Sequence, residues 1–420
     1  MSAYSIFSDL AAKTDGDKLQ FNRYLRPLIS ILTDPQTETP FTIGIFGAWG
    51  SGKTTLLNML NEELHQGHPD KFVSVYFNPW IHRGEPNLLI PLLHTLSDTL
   101  DEDPKHRFVE SAKKIGAVLL KLGADLFLKS VTANTVSLEG LEKLEQGYLK
   151  ERGQAQSEIR RLRKTLQAEA DAVAAEGAKL VFFIDDLDRC DPAQIIDLLE
   201  AVKIFLDLRH VFVVLAVDKE VIDRGIEVKY SKFKFADENR KAALGAEYLE
   251  KLVQLPLQLF PLHQKQVGDF VTALAPPKLV LDHLDLLKKL LLPNPRKIKR
   301  VVNILTVTNL VMEATDGIAK FNLAPELILR LVVLQVQSGD LYAEITKQSD
   351  FLVALEEVYA QKLSVDKDQD FAAYGDRAAA IQRLCKIYYR PDTYLSEVFK
   401  QSNFAAVKSN LMIYLSMLGG

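Results

Sequence analysis

The residues Gly47-Ala48-Trp49-Gly50-Ser51-Gly52-Lys53-Thr54 follow the spacing G-x-x-x-x-G-K-[ST]. Each residue type in it has a task in phosphate chemistry. Glycines let a loop wrap so that its N–H groups converge on phosphate oxygens. Lysine is a mobile point charge that reaches β- and γ-phosphates. The hydroxyl directly after it is placed to ligate Mg²⁺. A helix opening at Lys53 adds the positive end of its dipole. The expected binding set is Gly47, Ala48, Trp49, Gly50, Ser51, Gly52, Lys53 and Thr54, with Thr55 next in the first helical turn. Trp49 is unusual inside such a loop. It reads as a cover over the loop or as a ring stacked on a neighbour.

A second constellation is Val181-Phe182-Phe183-Ile184-Asp185-Asp186, an apolar run ending in two carboxylates. Asp185 then sits at the C-terminal end of a buried strand and faces a metal, so Thr54 and Asp185 are the expected Mg²⁺ ligands. Asp186 is placed to orient or deprotonate an attacking water. Lys53 and Asp186 are thus the expected catalytic residues. Asp188 and Asp191, just beyond, suit helix capping better. Asp218 ends a later apolar run. Two readings of it stand side by side: a sensor of the γ-phosphate, or a cap for the next helix.

These groups need a scaffold, and the pattern around them supplies one. FTIGIF (41–46) is a short buried strand leading into the glycine loop, and 53–66 is a helix leading out. Further strands are expected at 73–78, 179–186 and 210–218, with the one at 73–78 read as the extra strand inserted between the glycine-loop strand and the acid-bearing strand. A fifth, at 253–260, is expected on a sheet edge because Pro256 cannot donate to a ladder. Strands alternating with helices imply a parallel sheet covered on both faces, a three-layer α/β/α fold. Residues 17–33 read as an amphipathic helix with Pro27 inside it. Residues 84–178 are a long helical insertion. In it Pro86 is a helix starter, and 148–176 carries Tyr148, Ala155, Ile159, Leu162, Leu166 and Val173 at helical steps. That helix reads as packed on the domain surface, with a coiled-coil arm as the rival, its partner near 138–147. Beyond about 265 the patterns are helical to residue 420. The expected division is an N-terminal helix (1–40), a core (41–262), a helical lid (263–333) and a C-terminal all-helical region (334–420).

The bulk numbers fit this. The chain has 420 residues, 47% hydrophobic and 25% charged, as in ordinary globular proteins. A net charge of −4 argues against a globally basic nucleic-acid coat. Cys190 and Cys385 are the two cysteines, and they form neither a metal-ligand spacing nor a disulfide framework. The first residues show no basic-then-apolar leader. The apolar stretch Ile115 to Val131 is interrupted by Lys121, Asp125 and Lys129, so no membrane span and a cytoplasmic, reducing location are expected.

FTIGIFGAWGSGKTTLLNML, VSVYFNPWIHRGEPNLLIPLL, LVFFIDDLDRCDP, AVKIFLDLRHVFVVLAVDKEVI, EYLEKLVQLPLQL and NPRKIKRVVN, in that order over residues 20–310, resemble the KAP family of P-loop NTPases. The resemblance implies an additional-strand ATPase core with a helical lid, using ATP and Mg²⁺. Family members often carry transmembrane helices in the insertion; this chain resembles the soluble bacterial type, several of which resemble anti-phage defence components. Asn78 and Trp80 match the family's aromatic signature, with Trp80 read as packing and Asn78 as approaching the γ-phosphate. Arg296 matches a lid arginine that touches phosphate and joins the expected catalytic set. Lys297, Lys299 and Arg300 around it are either a solvated helix face or a nucleic-acid contact. Arg189 and Arg224 are candidates for an arginine supplied to a neighbouring subunit. ATPases of this kind often carry glutamate where Asp186 stands, so binding is expected more firmly than turnover. The expected function is an ATP-driven conformational or oligomerisation switch acting as a homo-oligomer or with protein partners of the same system. The alternative is a nucleotide-dependent scaffold with little turnover.

Overall fold

The computed structural model describes residues 6–9, 17–85, 88–101, 145–229, 249–314 and 324–410. Five strands form: β1 (Phe41–Phe46), β2 (Phe72–Phe77), β3 (Lys179–Ile184), β4 (Val211–Val217) and β5 (Leu255–Gln258). They lie in the order β2-β3-β4-β1-β5, every neighbouring pair parallel. All five expected strands are present, within two residues at their ends. β5 lies on an edge beside β1, with Pro256 opposite Gly44, where its missing N–H costs no ladder bond.

Strand composition explains the positions. β4, VFVVLAV, is buried at every residue and lies in the sheet interior between β3 and β1. β2, FVSVYF, is only half buried and forms the other edge. The strand expected at 73–78, which follows the glycine loop in sequence, is therefore not the one inserted in space. β4 separates the loop-bearing strand from the acid-bearing strand, and β2 lies outside both.

Alternate residues of each strand face opposite layers. Val181 and Phe183 join Phe212, Val214 and Ala216 beneath α1 (Asn22–Thr33) and α2 (Lys53–Gly67). Leu180, Phe182 and Ile184 join Val213 and Leu215 against α3 (Leu89–Asp101), α4 (Glu145–Ala175), α5 (Pro192–Phe205) and α6 (Lys219–Lys229). This is the three-layer α/β/α arrangement. α1 begins at Asn22 rather than at 17 because the Asp17 carboxylate accepts from the N–H groups of Phe21 and Asn22, at 2.8 and 3.0 Å, and stops the helix there. In α4, Leu162, Leu166, Ala170 and Val173 are buried in the same core as β3, as a surface-packed helix requires. Pro86, Ile115 to Val131 and most of the expected partner at 138–147 lie outside the described residues. So do the side chains of Tyr148, Ala155 and Ile159.

The described residues fall into two units, one from Ala11–Phe260 and one from Met1–Leu10 with Pro261–Gly420. The segment 1–40 is divided between the two units. Phe21 and, in α1, Leu25, Leu28 and Leu32 are buried in the cluster that also takes Leu56, Leu57 and Leu60 of α2. The second unit is helical: α7 (Gln264–Ala273), α8 (Lys278–Asp282), α9 (Leu284–Leu290), α10 (Pro295–Ala314), α11 (Pro325–Gln337), α12 (Gly339–Lys347), α13 (Ser349–Tyr359), α14 (Ala378–Tyr388) and α15 (Tyr394–Phe399). The expected border at 333/334 falls inside α11. Gln337 spans it, accepting from Leu292 N at 2.6 Å and donating to Leu290 O at 2.9 Å. Buried Arg330 reaches the carbonyl of Glu397 at 2.6 Å, and buried Glu356 accepts from Phe404 N and Ala405 N at 2.8 Å each. The Gln337 and Arg330 bonds cross that border and tie the two segments together, while the Glu356 bonds lie within the second of them.

Candidate functional site

β1 and β3 run parallel across β4, and β1 ends two residues beyond β3: Ile184, the last residue of β3, and Gly44 are both opposite Leu215, while Phe46 is opposite Val217. The loop after β1 and the acids after β3 therefore emerge on the same edge, the C-terminal edge where ligands bind in open parallel sheets. Gly50 and Gly52 take φ of 82° and 103° in the turn. At Gly52 a Cβ would stand 2.5 Å from the ring of Phe21, the residue just before α1. Gly52→Ala combines a left-handed backbone with that overlap. It is expected to lower stability by about 1–3 kcal/mol, read as a fall in melting temperature.

Lys53 is buried at the start of α2. Its ammonium donates to Gly47 O at 2.8 Å and Ala48 O at 3.4 Å, and it lies 3.8 Å from Asp188 Oδ2. Thr54 Oγ1 donates to Asp185 Oδ1 at 3.2 Å. Residues 131 apart in sequence are thus in direct contact. Asp185 Oδ1 also accepts from Asp186 N at 2.8 Å, and Oδ2 accepts from Tyr76 OH at 2.8 Å. Burial raises the Asp185 carboxyl above the usual carboxylate range, against these hydrogen bonds, which lower it. The Tyr76 phenol is pushed up by burial and by Asp185, so it stays protonated and donates.

Asp186 adopts φ 54°, a left-handed conformation that costs a non-glycine residue about 1 kcal/mol. Two groups grip it: Asn78 Nδ2 donates to Oδ2 at 2.9 Å, and Arg189 Nε lies 2.9 Å from Oδ1. Asn78 also caps the turn Pro79–His82 by accepting from Trp80 N at 3.0 Å. The Trp80 ring packs on the core and has the guanidinium groups of Arg83 and Arg189 each 5.1 Å from its centroid.

The structure brings together Gly47, Lys53, Thr54, Asp185 and Asp186. It adds Tyr76 and Asp188, which sequence reasoning missed. Asp188, read as better suited to capping, pairs with Lys53, while Asp191 caps α5 through Ala193 N at 2.9 Å. The signal for Tyr76 was its period-two place on β2, one residue before a buried Phe77. Asn78 meets Asp186 directly. Trp49 is 56% exposed on the loop. Asp218 accepts from Glu220 N at 3.1 Å and so caps α6. Arg189 is engaged within its own chain. Arg296 belongs to the helical unit, where its Nε is 3.6 Å from Asp9 and Arg300 is 2.7 Å from the same carboxylate. Lys299 donates to Ser8 O at 3.2 Å, and the Asn303 amide exchanges two hydrogen bonds with the Phe7 backbone at 2.8 and 2.7 Å. The basic cluster is thus largely met by residues 7–9. Cys190 and Cys385 are free and buried. Burial and the nearby Asp186, Asp188 and Asp191 push the Cys190 thiol up to about 11, and burial pushes Cys385 to about 12.

The donor set fits Mg²⁺ with a nucleotide. Thr54 and Asp185 are hard oxygen groups side by side, and Mg²⁺ is usually held by one or two carboxylates plus substrate phosphates. At Gly47 a Cβ would fall 2.6 Å from Ser51 Oγ, so glycine is what lets the loop fold this tightly on itself.

A parallel sheet with the glycine loop after β1 and the acid pair after β3, separated by an inserted strand, defines an additional-strand P-loop NTPase. Residues 21–312 match the KAP family P-loop domain, and the chain belongs to that family. The phage T7 exclusion protein of Escherichia coli K12 is 26% identical over 249 residues, 55% of this chain and 31% of its own length. An uncharacterized protein of Methanocaldococcus jannaschii is 26% identical over 175 residues, 33% of this chain and 87% of its length. The rat kinase D-interacting substrate of 220 kDa is 40% identical over 52 residues, 12% of this chain and 3% of its length. The chain thus spans about a third of the E. coli relative and a small part of the rat one. Among solved structures, the Aeropyrum pernix Orc1 protein in complex with DNA is 16% identical, with 95% of this chain and 84% of that one covered at a TM-score of 0.36. Among the described residues no helix is long and apolar enough to cross a membrane.

The raised pKa of Asp185 has a consequence for stability. Its charged form is disfavoured in the fold, so its contribution is full below the unfolded value of about 4 and is lost as pH rises through the folded value. Asp185→Asn should raise the melting temperature in metal-free, nucleotide-free buffer at pH 7. The gain should vanish near pH 4. A variant equally or less stable at pH 7 would contradict the raised value.

Proposed function

We propose that this chain binds ATP·Mg²⁺ and hydrolyses it, and that turnover drives a conformational or oligomerisation switch. The observation that carries this reading is the meeting of Thr54 with Asp185 beside buried Lys53. Lys53 binds the β- and γ-phosphates, and the helix start behind it adds positive potential. Thr54 and Asp185 hold Mg²⁺, which when bound neutralises charge developing on the transferred group. Asp186 orients the attacking water and accepts its proton at a carboxylate oxygen. Arg189 and Asn78 set where that carboxylate points.

One observation favours the second reading, a nucleotide-dependent scaffold. Both Asp186 oxygens are already engaged, by Arg189 and Asn78. A base held in this way turns over slowly until one of those donors lets go. An anti-phage role takes its support from the name of the E. coli relative, and partners are proposed as copies of this chain or proteins of the same system. The deciding experiment combines calorimetric titration of ATP and GTP, with Mg²⁺, and phosphate release under the same conditions. Binding with release supports the switch, and binding without release supports the scaffold. Indifference to both nucleotides overturns the site. Particle mass with and without ATP tests oligomerisation, and release with and without DNA tests the nucleic-acid option.

A further inference from the structure

We infer that Tyr76 is a positioning residue for the metal site: its phenol holds Asp185 Oδ2 so that Oδ1 stays turned toward Thr54. The inference rests on the proposed nucleotide reading and adds a residue to it. Asp185 divides its two oxygens between different donors. Oδ1 receives Asp186 N at 2.8 Å and Thr54 Oγ1 at 3.2 Å, and Oδ2 receives Tyr76 OH at 2.8 Å. The χ2 torsion of aspartate is broad and roughly two-fold. The two oxygens turn together about that torsion; the backbone and threonine contacts act on one side of the carboxylate, and Tyr76 holds the other side and so fixes its plane.

Tyr76 is itself well anchored. It lies opposite Phe183 in the β2–β3 register, and its ring stacks on that buried residue with centroids 6.3 Å apart and planes 21° from parallel. The edge strand β2 thus delivers a rigid donor to the ligand at the end of β3. Groups that orient a metal ligand typically matter about 10- to 100-fold in metal affinity. Tyr76→Phe keeps the stacked ring and deletes only the donor.

The test is ATP affinity measured calorimetrically in saturating Mg²⁺ and in EDTA, for wild type and Tyr76→Phe, with melting temperatures in EDTA. The expected result is that the variant loses about 10-fold or more of the Mg²⁺-dependent tightening while its EDTA affinity and melting temperature stay near wild type. An unchanged ratio between the two conditions overturns the inference. So does a parallel fall of both affinities with a lower melting temperature, which is what a purely structural tyrosine would give. A wild-type protein that binds ATP in neither condition overturns the nucleotide reading itself, and that outcome is visible before the variant is compared.

Discussion

Replacing Lys53 by alanine is expected to weaken ATP·Mg²⁺ binding by about 2–5 kcal/mol, the usual cost of truncating one partner of a buried charge pair. In dissociation constant that is about 30-fold to several thousandfold. The reason is local and geometric. The ammonium lies under the loop, buried, with the Gly47 carbonyl at 2.8 Å and Asp188 at 3.8 Å. Close by, Asp185 and Asp186 follow β3 in the sequence. Without Lys53 a phosphate chain would meet these carboxylates with one cation fewer. Lys53→Arg should not rescue, because a planar fork cannot reproduce a compact charge in a glycine-walled turn. Calorimetry with a melting control checks this, and a change under threefold in the folded variant would remove Lys53 from the site.

Asp186→Asn is expected to reduce hydrolysis by about 10²- to 10⁴-fold, the usual contribution of a positioned general base, with ATP affinity within about threefold of wild type. The fold should tolerate the change. Asparagine accepts the left-handed backbone of position 186 at least as well as aspartate. Its amide oxygen can still receive Asn78 Nδ2. Lost is the charge that pairs with Arg189 at 2.9 Å and accepts a proton from water. Single-turnover phosphate release, alongside equilibrium binding, separates these roles. Equal rates in wild type and variant would move the protein to the scaffold reading, with Asp186 an anchor for Arg189.

Much of this site was legible in the residues. The glycine loop, Lys53, Thr54 and the acid pair lie in contiguous segments, and the flanking apolar runs mark strands ending at them. Period-two and helical spacing recovered β1 to β5 and most helices, because both depend on which side of a local element is apolar. Capping was less legible. Asp17 shortens α1, and Asp188 leaves capping to Asp191 in order to pair with Lys53. A carboxylate chooses among nearby donors by three-dimensional distance, which spacing does not encode.

The amino-acid order by itself determined the phosphate-loop motif and the secondary elements, since such a loop is one covalent turn and amphipathic periods are local. Tertiary structure alone decided which strand intervenes in space, that Tyr76 from an edge strand reaches Asp185, that Asn78 grips Asp186, and that residues 7–9 meet the basic face of α10. Those are pairings between segments that are distant along the chain or that only turning backbone brings together. They are set by the shared burial of β4, β3 and their covering helices, and by the need of each buried polar group for a partner.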